Sequence, residues 1–193
     1  MSTAGTQPAT TVRYLVDAKK SRFTVRALAS GLLSALGHSP TISIPDFEGE
    51  FVLNREAMDQ SSVHLVIDAA SLTVMDDIRD KDRAEIERTM QQEVFETDSF
   101  PEIVYQASRC SASKTAEGQY AVTLNGQLTL HGVAQDQPVS ARVYLTGDTL
   151  RAVGDFTLSQ KEYEIRPVSA VGGTIKLKDE LKLTFDMNAR KQA

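Results

Sequence analysis

The sequence predicts an all-β protein, a single antiparallel β-barrel of about eight strands with one inserted amphipathic α-helix at about residues 79–94. Apolar and polar residues alternate with a period of two along most of the chain, which is typical of half-buried strands. Several alternating runs reach about ten residues or more, whereas strands of globular proteins usually have about five or six residues. Sheets of such long strands tend to curl and close into a barrel. A single region has helical periodicity instead.

Alternation is easy to follow in the first strand-like run, where Phe23, Val25 and Ala27 share one face and charged or hydroxyl side chains occupy the other. Turn-forming residues such as Gly147 and Asp148 separate the runs. The same alternation predicts strands within residues 22–30, 46–53, 61–72, 120–132, 138–145, 150–159 and 174–187.

The inserted helix is predicted from the region 76–98, which lacks Gly and Pro and is rich in helix-forming residues. Ile86, Met90 and Val94 recur at a spacing of four, so they form one apolar stripe. We expect this stripe to cover the mouth or the side of the barrel. We expect residues 1–10 to form a disordered tail and residues 11–190 to form one barrel domain, which contains the helix.

Composition and charge narrow the class of protein. Hydrophobic residues make up 41% of the chain and charged residues 24%, which is enough apolar material for a sizeable core. The formal net charge of −5 has the wrong sign for binding nucleic acid through its phosphates. No segment approaches about 18 consecutive apolar residues, and the first residues do not have the pattern of an export leader, so we expect a cytoplasmic protein without an integral membrane segment.

The residues on the inward-facing side of the predicted strands are both large and small, so the sequence leaves open whether the barrel interior is hollow or filled. Runs of Ala and Gly on the inward face leave room for an apolar ligand. Alternatively, the aromatic residues fill the volume that the small residues leave. The large residues are Phe23, Phe47, Phe51, Phe156 and Phe185, and the small ones are Ala27, Ala29, Gly49, Gly126, Ala152 and Gly154.

Among the three histidines, His38 is the one placed to meet a cavity. It follows an apolar run in "SALGHSP", where Gly37 and Ser39-Pro40 mark a chain reversal, so we expect it at a barrel rim. His64 and His131 lie on polar faces and are expected in water. A metal site is not expected, because Cys110 is far from the histidines and no ligand spacing surrounds it.

An ordered set of short motifs resembles the YceI-like polyisoprenoid-binding proteins. The motifs are "RFTV" at 22–25, "GHSP" at 37–40, "FEGEF" at 47–51, "AASL" at 69–72, "EVFETDSFPEIVYQAS" at 93–108, "NGQLTLHGV" at 125–133 and "FTLSQKEYEIRP" at 156–167. The resemblance implies an extended, lipocalin-like barrel whose apolar tunnel holds a polyisoprenoid chain, such as a quinone or polyprenyl phosphate tail. Members are carriers or storage proteins without a known reaction, and many are periplasmic. The family's common "FGI" reads Tyr163-Glu164-Ile165 here.

The leading hypothesis is therefore a protein that binds and sequesters or carries a long isoprenoid-type lipid, polyprenyl or quinone-like, with no enzymatic activity, no catalytic residues and no other cofactor. His38 and Arg166 would meet the polar end of the ligand. Two alternatives remain, an enzyme acting on an apolar ester or lipid with His38 as general base, and a packed barrel that binds another protein. A homodimer is also compatible with the sequence. The residues predicted to contact the ligand are Phe23, Val25, Ala27, His38, Phe47, Phe51, Ile67, Ile86, Met90, Ile103, Tyr105, Leu128, Leu130, Phe156, Leu158, Arg166 and Phe185.

Overall fold

Antiparallel strands dominate the computed structural model, which describes residues 11–30, 39–166, 169–170 and 175–192. The strands are, in chain order, β1 Thr11–Val16, β2 Arg22–Ser30, β3 Thr41–Ser43, β4 Phe47–Asn54, β5 Ser62–Asp68, β6 Thr73–Val74, β7 Glu102–Ala116, β8 Gln119–Leu130, β9 Val133–Thr146, β10 Thr149–Ser159, β11 Ser169–Ala170 and β12 Ile175–Lys191.

Eight of these strands close into a barrel in the order β1-β4-β5-β7-β8-β9-β10-β12. The ring closes where β1 pairs with the end of β12, with Tyr14 opposite Lys191 and Val16 opposite Ala189. The predicted fold class is confirmed. Its long strands are also observed, since β7, β9 and β12 span 15, 14 and 17 residues.

One end of the barrel carries a short extension of the sheet. β2 follows β1 along the same edge of β12 and adds β3 and then β6 beyond the closed ring. The connection after β6 leads into the helix, α1, at Asp80–Thr89, which continues as a π-helical turn over Met90–Val94. We call this end, with β3, β6 and α1, the open end.

Polar contacts hold α1 against the free edge of β6. The backbone N–H of Val74 donates to Glu87 Oε1 at 2.9 Å. The Arg83 guanidinium donates to the carbonyl oxygens of Val74 and Asp76. No residue of α1 is buried, and the first buried side chain is that of Met90 in the π turn. The helix is therefore fixed by its side-chain hydrogen bonds more than by apolar packing.

The opposite end is covered by the connection between β4 and β5, and we call it the closed end. Asn54 is 3% exposed, and its Oδ1 accepts from the N–H groups of Glu56 and Ala57 at 3.1 and 3.0 Å. A 3₁₀ turn follows at Met58–Gln60, and the Cys110 thiol of β7 donates to the Met58 carbonyl oxygen at 2.8 Å. Further 3₁₀ turns lie at Ala18–Lys20, Ala69–Ser71 and Gln160–Tyr163.

Candidate ligand-binding cavity

The barrel encloses a cavity of about 440 Å³. All eight strands of the ring contribute to its wall, together with β2, β3 and the helical segment. The side chains that face it are overwhelmingly aliphatic or aromatic. Its volume falls in the range of about 300–1,000 Å³ that is typical of small-molecule sites. The chain thus has a preformed apolar chamber, and the interpretation of a completely filled interior does not hold.

Most of the residues predicted to contact a ligand lie in the cavity wall. They come from both halves of the chain, and the closed ring brings them together. Their role in binding stays a prediction. The predicted residues in the wall are Phe23, Val25, Ala27, Phe51, Ile67, Ile86, Met90, Ile103, Tyr105, Leu128, Leu130, Phe156, Leu158 and Phe185.

Two of the predicted residues that the structure describes, Phe47 and Arg166, are not in the observed wall. Phe47 is buried but lies outside the lining, with its ring edge-on to that of Phe23 at a centroid distance of 6.3 Å. Arg166 is exposed and also lies outside the lining, because an unpaired guanidinium is better solvated by water. His38 lies outside the described residues.

Two inward-facing glycines accommodate aromatic rings and do not create the open space. A Cβ on Gly126 would lie 2.5 Å from the ring of Tyr105, and a Cβ on Gly154 would lie 2.6 Å from the ring of Phe185. Neither glycine is part of the cavity wall, whereas Tyr105 and Phe185 are. The glycines therefore let the two rings lie flat against the barrel, and the cavity remains in front of the rings.

The Tyr105 hydroxyl points away from the cavity. It donates to the backbone oxygen of Gln137 on β9 at 3.1 Å, so the ring is fixed against the sheet. Burial raises the pKa of Tyr105 to about 12, so it remains neutral at physiological pH. This residue contributes its apolar ring face to the cavity and no charge.

The cavity opens beside α1. Asp82, Glu85, Ile86 and Thr89 line it at helical spacing, and Met90 follows in the π turn. The Ile86 side chain is 40% exposed although it lines the cavity, so it lies where the cavity meets solvent. The predicted apolar stripe of Ile86, Met90 and Val94 lines the cavity, and the same side of the helix also brings two carboxylates to the opening.

Gln160 is a polar wall residue that the sequence did not single out. It is 4% exposed, in the 3₁₀ turn after β10. Its Nε2 donates to the backbone oxygens of Lys178 and Asp179 at 2.9 and 3.3 Å. The inward parity of Phe156 and Leu158 extends to Gln160, but the alternating run was followed only to Ser159, where β10 ends.

Comparison with known families decides the identity of the fold. A model of the YceI-like domain matches residues 14–189, which is nearly the whole chain. This chain belongs to the YceI-like family. The resemblance inferred from the short motifs is thereby confirmed.

Solved structures similar to this YceI-like chain share its fold at low sequence identity. BcnA of Burkholderia cenocepacia is 18% identical, with a TM-score of 0.67 over 90% of this chain and 98% of its own. A polyisoprenoid-binding domain from Saccharophagus degradans, implicated in plant cell wall breakdown, is 15% identical, with a TM-score of 0.66 over 93% and 98%. The YceI protein of Campylobacter jejuni is 14% identical, with a TM-score of 0.59 over 79% and 85%. A search of curated proteins finds no match.

Of the two remaining histidines of this YceI-like chain, His64 is among the residues that line the cavity and His131 is not. His64 is exposed, as its polar-face position predicts. His131 differs from expectation, because its side chain is only 16% exposed. The chain turns there with a left-handed φ of 52°, which folds the imidazole back against Phe100 at 4.6 Å and brings Nε2 to 3.4 Å from Glu96 Oε2. This contact joins the β8–β9 turn to the segment after the helix.

Within the described residues of this YceI-like domain, the wall contains no Lys or Arg side chain. The described ranges contain no group of three or more His, Cys, Asp or Glu side chains arranged to hold a metal ion. They also contain no helix long and apolar enough to cross a membrane. At the closed end, burial and the nearby Asp59 raise the pKa of the Cys110 thiol, which keeps it protonated. The cavity wall is therefore suited to an apolar molecule.

Proposed function

We propose that this chain binds a long apolar isoprenoid-type lipid inside its barrel and sequesters or carries it. The observation that carries the proposal is the enclosed cavity, which is lined by apolar side chains from every strand of the ring. The YceI-like family and the polyisoprenoid-binding neighbour support the same class of ligand. A polyprenyl or quinone-like lipid combines an apolar tail for the wall with a polar end for the opening.

The physical basis of binding is the removal of the tail from water. Each Å² of apolar surface that enters the cavity contributes about 25 cal/mol, so a branched hydrocarbon chain gains affinity along its length. The closed end stops the chain at Met58 and Cys110, and the open end beside α1 leaves the polar end in contact with water. This arrangement suits sequestration, because the insoluble tail of the lipid is shielded from water.

The proposal is tested by extracting the purified protein with organic solvent and identifying the extract by mass spectrometry. We expect a stoichiometric isoprenoid lipid, or stoichiometric uptake of an added polyprenol or quinone by the emptied protein. A clean extract together with no uptake of either compound contradicts the proposal.

A matched pair of variants separates binding in the cavity from binding at the surface. Ala141 lines the cavity, and Ala121 is exposed on the neighbouring strand, opposite Arg142 in the register. Ala141→Phe fills the cavity and is expected to reduce lipid uptake at least about tenfold, whereas Ala121→Phe leaves it unchanged. Equal uptake by both variants would place the lipid outside the barrel.

The other hypotheses remain predictions with less support. An enzyme with His38 as general base depends on a residue outside the described ranges. A packed barrel used to bind another protein does not explain the cavity. The proposed homodimer is tested by sedimentation equilibrium of the purified protein.

A further inference from the structure

The open end of the cavity presents hydrogen-bond acceptors and acidic side chains to the polar end of a ligand. We propose that it selects isoprenoid lipids that end in an uncharged hydroxyl over those that end in a phosphate on the same tail. The inference rests on the proposed function and adds the chemistry of the head group, which the apolar wall alone does not determine.

The acidic character comes from the exposed side of α1. Asp82 and Glu85 both line the opening. Asp82 forms an ion pair with Arg79, whose Nε lies 2.8 Å from Asp82 Oδ2, so its charge is largely compensated. Glu85 forms no ion pair or hydrogen bond with any described residue. An anionic head group at this opening therefore meets an uncompensated carboxylate.

The arginines at the start of α1, Arg79 and Arg83, are already engaged. Arg83 on the same helix donates to the carbonyl oxygens of Val74 and Asp76, which form the edge of the sheet. Arg79 is committed to Asp82. Because no described residue of the wall is a Lys or Arg, a phosphate held against the wall meets no charge-assisted donor there.

Gln160 adds a neutral acceptor at the same end of the barrel. Two backbone carbonyl oxygens accept from its Nε2, and this fixes the orientation of the amide. Its Oε1 receives no hydrogen bond from any described residue, although the side chain is buried in the cavity wall. A ligand hydroxyl that reaches this oxygen would donate a hydrogen bond to it.

The expected size of the discrimination follows from Coulomb's law. Glu85 is exposed, so its interaction with a phosphate is reduced by water, and a separation of several ångström gives a preference of roughly three- to tenfold. Salt screens this interaction, so the preference should decrease as ionic strength rises. A ligand without a donor cannot form the hydrogen bond to Gln160, so such a ligand should bind more weakly than the alcohol for this second reason.

The test compares geranylgeraniol with geranylgeranyl phosphate, by competition against a fluorescent fatty-acid probe below the micellar concentration of each lipid. The wild type is expected to bind the alcohol at least about threefold more tightly. Glu85→Lys should reduce or reverse this ratio. The matched control is Glu56→Lys, which makes the same charge change at an exposed position of the closed end and should leave the ratio unchanged.

A second comparison isolates Gln160. The wild type should prefer geranylgeraniol over its methyl ether, which has no donor, and Gln160→Leu should abolish this preference. Each variant is judged by the ratio of its affinities for two ligands. A general loss of stability lowers both affinities and leaves this ratio unchanged. If all three lipids fail to bind, the proposed function itself is contradicted. If they bind but the phosphate binds as tightly as the alcohol, or Glu85→Lys and Glu56→Lys behave alike, only the present inference fails.

Discussion

At the scale of single residues, the interior depends on glycines that sit beneath aromatic rings. Gly126 and Tyr105 are neighbours across β8 and β7, and Gly154 lies beneath Phe185 on β12. The rings could not reach these positions if the glycines carried side chains. The space inside the barrel is therefore set by pairs of residues that are distant in sequence.

Replacing Gly126 with Ala should destabilise the fold by about 1–3 kcal/mol, because the new Cβ meets the Tyr105 ring and the backbone oxygen of Gln106 at 2.8 Å. Urea unfolding measures the effect. The double variant with Tyr105→Leu should lose less stability than the sum of the two single changes, since the clash with the ring is gone. Strict additivity would show that the ring and the glycine are not coupled.

Asp179 positions the turn that carries Gln160, and its effect should depend on pH. Its carboxylate accepts from the Ser159 hydroxyl at 2.5 Å and from the Lys161 N–H at 2.9 Å. The Ser159 hydrogen bond, with that of Lys161, lowers the pKa of Asp179 below its ordinary 3.8. The stabilisation is thus present above about pH 4 and is lost as the pH falls through the lowered folded-state pKa.

Asp179→Asn should cost roughly 1 kcal/mol at neutral pH, a value reduced by solvent screening. The difference from wild type should narrow below about pH 4, when the wild-type carboxylate becomes protonated. Urea titrations at several pH values measure this. A difference that stays constant down to pH 3 would contradict the assigned role of the charge.

At the scale of elements, α1 is a cover attached to the sheet edge by Arg83 and Glu87. Helical periodicity predicted the helix at about 79–94, and the structure has α1 and its π turn over Asp80–Val94. It did not predict that the helix would be held by polar contacts. Those contacts depend on β6, a strand of two residues that is too short to produce a periodic signal.

Glu87→Ala should loosen α1 without unfolding the barrel. The Val74 amide loses its acceptor, so its hydrogen exchange should accelerate roughly tenfold, and a bound lipid should dissociate faster. Glu87→Gln retains an acceptor oxygen and should behave nearly as wild type. Glu93→Ala is the matched control, because Glu93 is exposed and its ion pair with Arg88 stays within the helical segment. Unchanged exchange in Glu87→Ala would contradict the role of this contact.

At the scale of the whole molecule, one end of the barrel is covered and the other is acidic and open. Period-two alternation was enough to predict an all-β barrel with apolar residues inside, because parity alone assigns each strand residue to a face. It could not predict the register that brings Ala121 and Arg142 opposite each other, or whether the interior was filled. Both depend on packing between strands that are far apart in the chain. Gln160 was missed because the alternating run was followed only to Ser159, and the carboxylates of α1 were missed because only the apolar stripe of the helix was considered.

The central claim is that an isoprenoid lipid occupies the interior of the barrel. It is tested most directly by intermolecular nuclear Overhauser effects between bound geranylgeraniol and labelled methyl groups of the protein. We expect contacts to the buried wall residues Leu128, Val143 and Leu150, and none to Leu15, which is 39% exposed and lies outside the cavity. Contacts to Leu15 with none to the interior methyl groups would contradict the claim.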